Sequence, residues 1–135
     1  MASYGMNIKV RGSLEEVKAL VVEALKTQGF GVITEIDMQK TLKQKIGVDF
    51  KPYQILGACN PRFAYRALSA DEAIGLLLPC NVVLKQESDG VDVSIQDPEV
   101  MFSVVDDDTK KSMEGFPQEV KISLQSVLAA LKSQS

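Results

Sequence analysis

The sequence predicts a single α+β domain in which an antiparallel-dominated sheet is covered by two long helices, with short helices inserted between the strands. Three observations predict it. The N-terminal residues alternate apolar and polar side chains, two longer segments carry apolar residues at helical spacing, and an Asp-Gly pair joins two β-rich segments. The order is β-α-β(4)-α, one domain over residues 1–135.

Met6, Ile8 and Val10 alternate with Asn7 and Lys9, which places a first half-buried strand at about residues 4–10. Ser13 followed by Glu16 is a capping box, and Leu14, Val17, Val21 and Leu25 recur at helical spacing until Gly29, so a first long helix spans about 14–28. Phe30 to Ile36 is β-branched and reads as a strand, after which Asp37 caps a short lysine-rich helix ending near Gly47. Tyr53 to Cys59 is the third strand. Asn60 and Pro61 are a good cap and a favoured first helical residue, so a helix begins just after Cys59. Ser69 with Glu72 repeats the capping box and predicts a separate short helix over Ala70–Leu77, ended by Pro79. Asn81–Gln86 and Val91–Gln96 are two strands about the turn Glu87-Ser88-Asp89-Gly90. Asp97 to Phe116 reads as irregular. Pro117 opens the last helix, where Val120, Leu124, Val127, Leu128 and Leu131 share a face.

A chain of 135 residues, 45% hydrophobic, can bury one core without a disulfide or structural metal. No apolar run approaches the roughly 18 residues of a membrane span. The start, Met1-Ala2-Ser3-Tyr4-Gly5, lacks the regions of a signal peptide, so the expected address is cytoplasmic, with no membrane partner. Two cysteines in that compartment are expected as free thiols, metal ligands or redox groups. The chain has no histidine, which excludes Ser-His-Asp and Cys-His catalysis within one chain; two thiolates are too few for a zinc site on their own. A net charge of -3 argues against phosphate backbones, and no nucleic-acid partner is expected. Charge is nonetheless segregated: six basic residues and one acid lie between Met38 and Leu68, while ten acids and two lysines lie between Gln86 and Glu119. Either run can be a solvated face, or the basic run can draw in a small anion.

That basic run holds the first of two similar clusters, Gly57-Ala58-Cys59-Asn60-Pro61; the second is Leu78-Pro79-Cys80-Asn81-Val82. Each sets a cysteine at a strand end, beside an asparagine and a proline. At the mouth of a helix, Cys59 would meet unpaired amides and the positive end of the dipole, with Arg62 and Arg66 following, which favours a thiolate or a bound anion. The other reading makes Cys59 a small buried strand residue and Asn60 a cap. Cys80 lies where Pro79 fixes entry to a strand, and its bland reading is stronger. Because adjacent strands bring such ends together, Cys59 and Cys80 are expected to line one cavity, as a thiol pair, a soft-metal site or a pocket wall. The candidate ligand-binding set is Cys59, Asn60, Arg62, Cys80 and Asn81, with Cys59 and Cys80 the candidate metal ligands. No cofactor and no catalytic residue follow from the pattern.

With Ile55-Leu56-Gly57-Ala58-Cys59-Asn60-Pro61 and Leu76-Leu77-Leu78-Pro79-Cys80-Asn81-Val82-Val83 in place, the chain resembles the family Domain of Unknown Function 302 over nearly its whole length. The resemblance implies a TATA-binding-protein-like fold and pairing as a homodimer, in small bacterial or archaeal proteins. It implies no activity, and the fold is no warrant for DNA binding. The acidic stretch from Met101 to Gly115 departs from the family pattern. Three functions stay open: a dimeric module binding a small anion or soft metal at the clusters, a thiol-dependent enzyme or redox protein using Cys59, and a structural or partner-binding dimer.

Overall fold

The computed structural model describes residues 2–133; Met1, Gln134 and Ser135, the ends of the expected domain, lie outside the described residues. Five strands, β1 (Gly5–Val10), β2 (Gly31–Asp37), β3 (Tyr53–Cys59), β4 (Cys80–Glu87) and β5 (Gly90–Gln96), form one sheet in the order β1-β5-β4-β3-β2. Every neighbouring pair is antiparallel. The fold is therefore the α+β architecture read from the sequence.

Side-chain alternation decides which face is covered. Leu56 and Ala58 of β3, Val82 and Leu84 of β4, and Val91, Val93 and Ile95 of β5 are all buried on one face. Against it lie α1 (Leu14–Thr27) and α6 (Phe116–Lys132), which also pack on each other. α1 contributes Val17, Val21 and Leu25; α6 contributes Val120, Leu124, Val127 and Leu131, with Leu128 partly buried beside them. Each such side chain stabilises the fold by about 1.5–3 kcal/mol relative to exposure. The Ser13–Glu16 capping box starts α1 with both reciprocal hydrogen bonds formed. The other face carries Asn7, Lys9, Lys85, Asp92 and Ser94, whose charges are met by ion pairs such as Lys9–Asp89 (2.9 Å) and Lys85–Asp92 (3.5 Å).

Short helices fill the connections: α2 (Met38–Ile46), α3 (Pro61–Ala70), α4 (Pro98–Met101) and α5 (Asp107–Ser112). Asp37 caps α2 through Lys40 N, and Gly47 ends it in the left-handed region. Two expectations need correction. The pair Ser69 and Glu72 does not open a helix, because Ser69 already lies inside α3; the chain breaks at extended Asp71, whose carboxylate caps a 3-10 turn over Glu72–Leu77 through Ala73 N. The stretch Asp97–Phe116 is not irregular. Asp97 and Pro98 repeat the arrangement of Asn60 and Pro61, with the Asp97 carboxylate accepting from Glu99 N to start α4, and a 3-10 turn over Phe102–Val104 leads on to α5. Lys121 of α6 holds this segment down by pairing with Asp97 (2.9 Å) and Glu99 (3.0 Å). Among the described residues, no helix is long and apolar enough to cross a membrane.

Candidate functional site

The antiparallel register brings the two clusters to one end of the sheet. Ala58 of β3 pairs with Cys80 of β4, and Cys59 pairs with Gly31 of β2. Gly57 makes this end possible. A Cβ there would stand 2.8 Å from Cγ of Pro79 and would collide with the Thr34 hydroxyl, so only glycine lets the two clusters close on each other.

Between this end of the sheet and helices α3 and α6 lies a cavity of about 260 Å³. Both cysteines line it, Cys59 half-buried and Cys80 buried, and neither is in a disulfide. Its aromatic wall is a chain of ring contacts running Phe30–Phe63–Phe116–Phe102, with centroids 6.1, 5.8 and 5.6 Å apart. Four of the chain's five phenylalanines are thus committed to one site. Small Ala58, Ala64 and Ala67 leave the space, and Ile33 and Leu68, both partly in solvent, flank it.

Of the five candidate site residues, Cys59, Asn60 and Cys80 border this cavity; Arg62 and Asn81 do not. Asn60 is spent on the backbone. Its Oδ1 accepts from Arg62 N (3.1 Å) and Phe63 N (3.3 Å), and its Nδ2 donates to Gln28 O (3.1 Å). Those are the amides that an anion at the mouth of α3 would need. Gly29, in the left-handed region at φ +81°, permits the approach, since a Cβ there would lie 3.1 Å from Asn60 Nδ2. Asn81 follows Cys80 in a strand and so takes the opposite face, where it borders a separate cavity. The basic run does not converge on the thiols either. Lys43 pairs with Asp49, while Lys51 and Arg66 pair with Glu87 and Glu119 of the acidic run.

Burial, with a smaller contribution from neighbouring Cys59, pushes the Cys80 thiol up to about 11, so it keeps its proton near neutral pH. Among the described residues, no group of three His, Cys, Asp or Glu side chains is placed to hold a metal ion. Among the described residues that line the cavity, the two thiols are the only soft donor groups. The residues that sequence reasoning missed are Phe30, Phe63, Phe102 and Phe116. Their scarcity was the available signal: in a chain only 6% aromatic, phenylalanines after a helix stop, inside a capped helix and after an Asp-Pro cap are all candidates for one wall.

Fold and site together define a small α+β domain with an apolar, thiol-bordered cavity at one end of an antiparallel sheet. The chain belongs to the family described as domain of unknown function DUF302, whose model matches residues 6–131. It is similar to an uncharacterized conserved DUF302 protein from Bacillus stearothermophilus of known crystal structure, at 26% identity and a TM-score of 0.80, over 99% of this chain and 100% of that one. No curated protein matches.

Proposed function

We propose that the chain is a small-molecule-binding module whose ligand is a compact, uncharged and mainly apolar group held in the cavity beside Cys59 and Cys80. The carrying observation is the cavity itself: about 260 Å³ walled by four phenylalanines and small alanines. An apolar cavity of about 150 Å³ is enough to take up benzene. Burial of a ring or short alkyl chain there removes apolar surface from water at about 25 cal/mol per Å². The geometry supports this better than a small anion, because Asn60 already occupies the α3 amides and Arg62 lies off the cavity. The thiols border the cavity as polarisable contacts, with Cys80 in its neutral form.

The test is a titration of methyl-labelled protein with hexan-1-ol or toluene, followed by NMR. Saturable shifts should centre on Ile33, Leu68, Leu78 and Val120, and Ala64→Leu, which fills the space, should abolish them while the fold persists. Shifts spread evenly over the surface, or unchanged binding in Ala64→Leu, would sink the reading.

A second reading rests on the same two thiols sharing one wall: a soft monovalent metal ion bound between them. Binding would have to release the Cys80 proton, so affinity would rise steeply with pH. Titration with copper(I) under a competing chelator separates the readings, since hexan-1-ol binding survives Cys59→Ala and metal binding does not.

A further inference from the structure

The second cavity carries an inference of its own. It has a volume of about 310 Å³, lies at the same end of the sheet and is bordered by Tyr4, Asn7, Asn81, Val83, Gln96 and Met101. Strand alternation separates the two cavities at a single step, with Cys80 on one and Asn81 on the other; Met101, at the end of α4, and Phe102, in the 3-10 turn that follows, also border different cavities. Among the described residues, the lining also includes Ser94 and contains no Lys, Arg, Asp or Glu.

What it offers is neutral hydrogen bonding around apolar surface. Asn81 is exposed, and neither its side-chain amide nor that of Gln96 has a partner among the described residues. Asn7 is held in place, its Nδ2 donating to Asp92 Oδ1 (2.8 Å) and Ser94 Oγ (2.9 Å), which leaves its amide oxygen available as an acceptor. Val83 and Met101 supply apolar contact, and the Tyr4 ring, 60% exposed, supplies a face for stacking. A side-chain amide presents a donor and an acceptor side by side, the match for the edge of a heterocyclic base. An aromatic ring beside such amides suits a flat π-system more than a polyol.

We propose that this cavity binds a neutral heteroaromatic ring of the nucleobase or nucleoside type. The missing cations set the selectivity. Lysines on this face are already engaged, Lys9 with Asp89 and Lys85 with Glu87 and Asp92, so a phosphate on the ligand gains nothing. The ligand is a free base or nucleoside, not a nucleotide.

The full chain, labelled with nitrogen-15, is titrated with adenosine and uridine at millimolar concentration, with AMP and methyl glucoside as comparison probes. The side-chain amide resonances of Asn81 and Gln96 should move saturably with at least one nucleoside. Asn81→Leu, at an exposed position that keeps the fold, should weaken binding by about tenfold, the loss of one or two hydrogen bonds. Gln96→Leu should act likewise, and AMP should bind no tighter than adenosine. Ala64→Leu, which fills the other cavity, should leave nucleoside binding unchanged, so this inference and the apolar-ligand reading fail separately. The inference is overturned by no saturable shift with either nucleoside, by methyl glucoside binding as well as adenosine, by tighter binding of AMP, or by unchanged affinity in both leucine variants.

Discussion

The two Cys-Asn clusters share their letters and differ in almost everything the letters do. In the first, Cys59 ends a strand and Asn60 leaves the sheet to cap a helix, binding three backbone groups at once. In the second, Cys80 opens a strand, is buried and holds its proton, while Asn81 continues that strand and faces the far side. Identical neighbours thus acquire opposite roles according to whether the chain is leaving or entering the sheet. Backbone direction, not residue identity, assigns the work.

The contrast can be broken where the clusters meet. Gly57→Ala drives a methyl group against Pro79 and Thr34 and should cost about 3 kcal/mol, read as a shift in the urea midpoint. A loss below about 1 kcal/mol would mean that Pro79 can retreat and the clusters are not locked. The asparagines come next. Asn60→Ala should cost about 1.5 kcal/mol, because a helix cap and the bond to Gln28 O vanish together, whereas Asn60→Asp keeps the cap and sets a carboxylate against that carbonyl. Equal losses for the two variants would assign all of the effect to Gln28.

A smaller effect separates the thiols. An unfolded cysteine ionises near 9 and folded Cys80 near 11, so the folded state retains a proton that the unfolded state loses. The stability this withdraws is fully present below pH 9 and falls as pH rises toward 11, by about 1 kcal/mol at pH 10. Cys80→Ala should remove that part of the alkaline slope, while Cys59→Ala should keep most of it, losing only the smaller contribution of the neighbouring thiol. At pH 8, iodoacetamide should label half-buried Cys59 well before Cys80. The smallest effect belongs to Asn81→Ala, exposed and without a side-chain partner among the described residues, which should change stability by less than about 0.5 kcal/mol. A loss as large as that of Asn60→Ala would erase the comparison.

Much of the fold is legible in the sequence because it rests on local rules. Alternation around Met6, Ile8 and Val10, the Ser13–Glu16 box and the Asn60-Pro61 cap each describe a few adjacent residues, and each is formed as read. The errors arise where one local signal competes with another. Ser69 looks like a cap only because nothing nearby shows that α3 runs past it to Ala70. Asp97-Pro98 carries the same cap-and-proline signal as Asn60-Pro61, but the surrounding acids mask it. The site is legible in its thiols and not in its walls. Phe30, Phe63, Phe102 and Phe116 come together through strand register and helix docking, which no spacing in the chain records. Sequence adjacency groups Asn81 with Cys80, whereas the period of a strand puts neighbours on opposite sides.

Asn60 has a further consequence for how the molecule breathes. One side chain clasps the exit of α1 at Gln28 and the entry of α3 at Arg62 and Phe63, positions more than thirty residues apart in the chain. Loosening either reversal disturbs the side chain that holds the other. Backbone amides on both sides should therefore exchange with deuterium at one common opening rate, and Asn60→Ala should split that rate in two.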